Sequence, residues 1–194
     1  MKIIKTTLLI GLIACLTSCA SLQSFPTCDV HVDTELPILH PSAFAANLII
    51  NQQVTIETPE HEFDFISQFE VNNKQLILVA LTPIGQKLFQ IQYRPQELQF
   101  QRFGIPDSFN PAFLLTDVSF IYGDKKALET CYQLTHLPRP SISMQNQQRT
   151  ISYPGQKDIT ITYSSTDKWS SNIVFKNPAR NYTIEIKSLS VEHL

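Results

Sequence analysis

The stretch Gln75–Gln101, QLILVALTPIGQKLFQIQYRPQELQFQ, decides the fold class. Residues 75–81 are almost wholly apolar, as expected of a strand covered on both faces. Thr82-Pro83-Ile84-Gly85 then interrupts the run as a hairpin tip flanked by proline and glycine. Beyond it, Phe89, Ile91 and Tyr93 alternate with Gln90 and Gln92, and Leu98 and Phe100 alternate with Gln99 and Gln101. Alternation with period two marks half-buried strands, because successive side chains of a strand point to opposite faces.

The same pattern extends in both directions. Upstream, Leu48, Ile50, Val54 and Ile56 form a series interrupted at Gln52, and Phe63, Phe65, Phe69 and Val71 oppose Asp64, Gln68 and Glu70. Downstream, Thr150–Tyr153 and Ile159, Ile161 and Tyr163 read as a hairpin around Pro154-Gly155. Ile173 and Phe175 follow, and Tyr182, Ile184 and Ile186 alternate with Glu185 and Lys187. The middle differs. Asn110-Pro111 opens a helix, in which Phe113, Leu114, Val118 and Ile121 recur at helical spacing. Gly123-Asp124 breaks it, Lys125–Leu134 reads as a second short helix, and Pro138 and Pro140 close the insert. The expected fold is mainly β with a helical insert (α+β): nine to eleven strands in one strongly curved antiparallel sheet, its inner face packed by helices.

The N-terminal residues set the location. Lys2 and Lys5 precede an apolar run from Leu8 to Leu16, too short for a spanning helix of roughly 20 residues. Leu16-Thr17-Ser18-Cys19 follows and resembles the lipobox of bacterial lipoproteins, which implies acylation of Cys19 as the mature N-terminus. Leu12-Ile13-Ala14-Cys15 is a competing cleavage with a shorter apolar run. Residues 1–18 are thus read as a signal peptide, 19–45 as a lipidated N-terminus and tether with Pro26, Pro37 and Pro41, and 46–194 as one domain. Ala20 rather than Asp after the cysteine favours, by the same resemblance, the outer membrane over the inner one. With Cys15 removed and Cys19 lipidated, Cys28 and Cys131 remain, either as a disulfide or as two buried thiols.

The chain has 15 basic and 17 acidic residues. Removing the two leader lysines leaves 13 against 17, a formal charge of −4 with no basic stripe, which argues against nucleic-acid binding. The five histidines are dispersed, the five glycines are too scattered for a phosphate loop, and no serine sits in a nucleophile elbow. His31 and Asp33 lie close together but within the tether. The reading is therefore non-enzymatic, with no cofactor and no metal. An envelope hydrolase assembled from distant strands is the third choice.

What remains is an apolar row: Phe63, Phe65, Phe69, Leu76, Leu78, Phe89, Ile91, Tyr93, Leu98 and Phe100. It either lines a hollow suited to an acyl or polyene chain or forms a filled core. Leu81-Thr82-Pro83-Ile84-Gly85, the alternating strand after it, the Phe113–Leu134 insert, and the final SNIVF and YTIEIK stretches resemble the lipoprotein receptor LolB and its relatives. The phrase LVALTPIGQKLFQIQY resembles an uncharacterised family of small lipoproteins encoded with aryl-polyene pigment clusters. The likeness covers roughly residues 46–190. It implies an incomplete barrel of the LolA/LolB type, capped by helices, that holds the lipid chains of lipoproteins. It also implies that Pro83, Ile84 and Gly85 form a loop inserting an aliphatic side chain into membrane or cargo. This chain has Ile84 where LolB has Leu.

The resulting expectation is an outer-membrane lipoprotein facing the periplasm. It would bind the acyl chain of a lipoprotein or an aryl-polyene-type lipid, with a periplasmic carrier protein as a further partner. The alternative is an accessory lipoprotein of an envelope assembly, with a filled core and no ligand. The leader yields a direct prediction: Cys19→Ala abolishes palmitate incorporation in metabolic labelling, whereas Cys15→Ala leaves it intact.

Overall fold

The computed structural model describes residues 28–31, 36–106, 109–135 and 138–194. The leader, Cys19 and Asp33 lie outside the described residues, as does the side chain of His31. Twelve strands and two α-helices are described. Strands β3 (Leu48–Glu57), β4 (Glu62–Val71), β5 (Leu76–Leu81), β6 (Lys87–Arg94) and β7 (Glu97–Arg102) form one antiparallel meander. A second comprises β8 (Ser141–Gln145), β9 (Gln148–Ser152), β10 (Ile159–Tyr163), β11 (Ile173–Asn177) and β12 (Tyr182–His193). Pairing of β3 with β12, from Glu57 opposite Thr183 to Leu48 opposite His193, fuses them into a ten-stranded sheet. Its order is β7-β6-β5-β4-β3-β12-β11-β10-β9-β8.

This order dictates where the helices go. The strands β7 and β8 are opposite edges, yet they are joined only by the segment carrying α1 (Pro111–Tyr122) and α2 (Lys125–Leu134). The connection must therefore cross a face of the sheet. Side chains from β3 (Gln52), β4 (Phe69), β9 (Arg149) and β10 (Tyr163) all reach α1. β4 and β9 stand five strand spacings apart, roughly 24 Å in a flat sheet, against a helix diameter of about 10 Å. Both reach one helix only because the sheet curves around it. Among the described residues the sheet does not close into a barrel, and β7 and β8 are its edge strands.

The C-terminal end of α1 is held by the sheet itself. A helix leaves its last four carbonyls without intrahelical partners, and here each is accounted for. Arg149 Nη1 donates to Phe120 O (2.5 Å) and Gly123 O (2.9 Å), Tyr163 donates to Ile121 O (2.6 Å), and Lys168 donates to Tyr122 O (2.5 Å). The two cations also offset the negative end of the helix dipole. Gly123 is required by close approach: a Cβ there would lie 2.3 Å from Ser119 O and 2.4 Å from Leu39 Cδ1. At the other end, the Asn110 side chain accepts from Ala112 N at 2.9 Å, and Pro111 occupies the first turn, as the sequence suggested.

The far side of α1 is covered by a hairpin of β1 (Cys28–His31) and β2 (Leu36–Leu39). Leu39 N donates to Ser119 Oγ (3.2 Å), and Cys28 is disulfide-bonded to Cys131 of α2, with 5.6 Å between the Cα atoms. Asp29 accepts from Tyr93 Oη (2.9 Å) and from Gln96 N (2.5 Å), and lies 3.0 Å from His40 Nε2. Burial alone would raise the Asp29 carboxyl, but the Gln96 N–H, His40 and the Tyr93 hydroxyl outweigh it and hold the group below the usual range.

The apolar series of β3 is interrupted at Gln52, as the sequence indicated, by a buried polar residue within an unbroken ladder. Two sequence expectations are corrected. Residues 28–31 and 36–45 of the segment read as a tether are packed structure, with Ile38, Leu39 and Phe44 buried; four-residue strands are too short to display a period. The strand β5 is covered on one face only: Ile77, Val79 and Leu81 are half-buried, because the helices and the hairpin lie on the concave side. The helix end gives a stability prediction. Arg149→Leu removes two charge-assisted bonds from a buried terminus and should cost about 2–4 kcal/mol in urea denaturation.

Candidate functional site

The space between α1 and the concave face contains a cavity of about 40 Å³. Its apolar walls come from Val54, Ile56, Phe65, Phe69 and Leu78 on one meander, Ile184 and Ile186 on β12, and Leu114, Val118 and Ile121 on the helix. Of the ten residues of the apolar row, Phe65, Phe69 and Leu78 line it. The others divide according to what covers them. Leu76, Phe89, Ile91 and Tyr93 are buried in the surrounding core, where Phe89 packs on Phe109 at 5.0 Å and Tyr93 bonds to Asp29 of the hairpin. Leu98 and Phe100 are half-buried near the β7 edge, and Phe63, 45 % exposed, stands at the rim. All ten side chains share the concave face, but α1 covers only its centre.

Polar groups at the cavity were not singled out from the sequence. Gln52 Nε2 donates to Tyr122 Oη at 2.6 Å. Tyr122 stacks on Trp169 (4.9 Å between ring centroids) and on Phe69 (5.7 Å), so an aromatic stack stands beside the C-terminal end of α1. Asp117, on the face of α1 turned to the cavity, is buried. The Tyr182 hydroxyl donates to its Oδ2 through a short bond. Its Oδ1 lies 3.9 Å from Arg180 Nη1, an ion-pair separation too long for a hydrogen bond. Neither Oδ1 nor Nη1 has a hydrogen-bond partner among the described residues. Burial pushes the Asp117 carboxyl up to about 7, against the opposing pull of the Tyr182 hydroxyl and the Arg180 guanidinium. The only sequence signal for this residue is an acid in the middle of an apolar helix.

The rim nearest this site exposes several apolar side chains between charged turns. Strand pairing places the β3–β4, β5–β6 and β11–β12 turns at one end of the sheet. There Ile84 is 81 % exposed and Phe103 57 % exposed, with Lys87 Nζ 5.4 Å from the Phe103 ring. Ile84 therefore projects outward rather than folding back on its sheet. The turn is built as its residues require: Gly85 N donates to Thr82 O at 2.8 Å, and Gly85 adopts φ +84°, a conformation L side chains rarely take. The N-terminal turn of α1 also faces this end, where Phe113 carries the Arg180 guanidinium 4.0 Å from its ring centroid. A larger hollow of about 430 Å³ is lined in part by Gln53, Thr55, Glu185 and Lys187 of the outer face.

The fold is thus a curved ten-stranded antiparallel sheet filled by a buried helix, with apolar side chains exposed at one rim. The chain belongs to the family described as "Protein of unknown function (DUF3261)", whose model matches residues 50–190. The match spans both meanders and both helices and leaves out the β1–β2 hairpin. No curated protein matches the chain.

The buried carboxyl makes stability depend on pH. An unfolded Asp117 releases its proton near the ordinary aspartate value of 3.8, whereas the native one keeps it until about 7. Between those values the native state binds the extra proton, so this group's contribution to stability falls as pH rises. Asp117→Asn should flatten the decline in the urea midpoint between pH 5 and pH 8. Parallel curves for the two proteins would show that the carboxyl titrates normally.

Proposed function

We propose that this protein is a LolB-like lipoprotein, anchored in the outer membrane through Cys19 with its domain facing the periplasm. In this reading it takes a hydrophobic chain between α1 and the concave sheet and passes it to the membrane. The chain belongs to a lipoprotein or to an aryl-polyene-type lipid, received from a periplasmic carrier protein, and no bond is made or broken.

The observation that carries the reading is the unequal restraint on α1. Its C-terminal end is fixed by Arg149, Tyr163 and Lys168, while its N-terminal turn, with Leu114 half-buried and Phe113 40 % exposed, faces that rim. Typical ligand sites measure roughly 300–1,000 Å³, so the cavity of about 40 Å³ is a closed state. Opening pivots α1 about its pinned end, so that the chain enters past Leu114 and displaces packing rather than water. Ile84, at the same end, then enters the bilayer interface, where burying such a side chain is worth about 1.5–3 kcal/mol.

The small volume favours a second reading, in which the core stays filled and the protein is an accessory of an envelope assembly. The two are separated with the full chain, a palmitoylated fluorescent peptide as probe, and phosphatidylethanolamine/phosphatidylglycerol vesicles as acceptor. The carrier reading expects stoichiometric binding of the peptide and transfer to the vesicles. Ile84→Glu should keep the fold and the binding but slow transfer by about tenfold or more, because the loop's apolar contact with lipid is lost. A wild-type protein that ignores the peptide supports the filled-core accessory, and unchanged transfer by the variant removes Ile84 from the mechanism.

A further inference from the structure

Asp117, in the wall of an apolar cavity, forms with Arg180 behind it a polar pair left incomplete. The carboxylate cannot reorient, because its Oδ2 is engaged by the Tyr182 hydroxyl. The guanidinium is seated over the Phe113 ring, which fixes the direction of Nη1. What faces across the 3.9 Å separation is one buried acceptor and one buried donor, neither with a hydrogen-bond partner among the described residues. A single oxygen about 2.8 Å from both atoms spans such a separation with ordinary geometry.

We infer that this gap between Asp117 Oδ1 and Arg180 Nη1 is a recognition site for a hydroxyl group carried on an otherwise apolar chain. The inference rests on the proposed binding of hydrophobic chains and specifies their class. A hydroxyl donates to the carboxylate and accepts from the guanidinium with the same oxygen, as the site requires. A carboxylate head has no donor for Asp117 Oδ1, and an ammonium head has no acceptor for Arg180 Nη1. An ester or a bare alkyl end supplies no donor to Oδ1, so the pair stays unsatisfied, and sites built for a hydroxyl discriminate strongly against analogues lacking it. A protonated Asp117 donates instead, and any acceptor oxygen, an ester carbonyl included, then serves both sides, so the preference for a hydroxyl belongs to the ionised carboxylate, above about pH 7. Residues on either side of Asp117 provide the apolar path: Leu114 and Val118 on the helix and Ile184 on the sheet line the same cavity. Along α1, Tyr122 lies five residues beyond Asp117, roughly 7.5 Å, and stacks on Trp169. A chain held by its hydroxyl at Asp117 therefore directs its tail toward Trp169, the only tryptophan in the protein.

That arrangement provides the test. The full chain in detergent micelles at pH 8.5, where Asp117 is ionised, is titrated with 8-bromooctan-1-ol or with methyl 8-bromooctanoate, whose bromine quenches tryptophan fluorescence on contact. The alcohol should quench Trp169 at a concentration about tenfold or more below the ester, the ratio expected when one buried polar pair is satisfied or left open. Asp117→Leu and Arg180→Met, each checked for native circular dichroism, should bring the two probes to equal effect while both still quench. Equal quenching by both probes in the wild type, or an alcohol preference that survives in the folded variants, overturns the hydroxyl site but leaves chain binding standing; the gap is then a water site. Absence of quenching by either probe overturns the chain-binding reading and this site together.

Discussion

The crossing of the concave face by α1 is the constraint on which the rest of the structure depends. It follows from strand order: the two meanders are fused through β3 and β12, which sends β7 and β8 to opposite edges and forces their connection across the sheet. A helix carried through the middle of a protein must satisfy its terminal carbonyls without water. The sheet supplies the donors, with Arg149 on β9, Tyr163 on β10 and Lys168 on the β10–β11 connection, so helix and sheet fix each other. Burial, with the neighbouring Arg149 charge, holds Lys168 down to about 8, so it still meets the carbonyl mainly as a cation at neutral pH.

The same arrangement explains the β1–β2 hairpin. A helix that is apolar on nearly all sides needs cover on both faces. The sheet covers one and the hairpin the other, held by the disulfide to α2, the Asp29 bonds to Tyr93 and Gln96, and Leu39 against Gly123. In the chain-entropy model, a cross-link over 103 residues stabilises the native state by roughly 4–5 kcal/mol. The hairpin lies outside the family match, although it completes the burial of a helix that lies inside it. The restraint is one-sided: it locks the C-terminal half of α1 and leaves the N-terminal turn beside the exposed Ile84 and Phe103.

Much of the architecture was legible because it rests on local periodicity. Alternation in residues 48–57, 62–71, 87–94 and 97–102 follows from one face being buried, and Asn110-Pro111 and Gly123-Asp124 marked the ends of α1 through capping chemistry that acts within a few residues. The strand β8 went unseen because Ser141–Gln145 buries a single side chain, Ile142, and so displays almost no pattern. The candidate site was half legible. The apolar row lies on the concave face as its period requires, but period cannot tell which members line a cavity, since that depends on where α1 crosses.

Asp117, Arg180 and Tyr182 show the limit most plainly. Asp117 lies more than sixty residues from the other two, and its place in an apolar helix signals burial but not which partners it meets. Sequence alone determined the strands with alternating faces, the helix ends, the Pro83-Ile84-Gly85 turn and the apolar face, because each depends on neighbours within a turn or a strand. Tertiary structure alone decided the β3–β12 junction, the burial of α1, the size of the cavity and the polar pair within it. Those depend on contacts between segments far apart in the chain, whose energies no local pattern encodes.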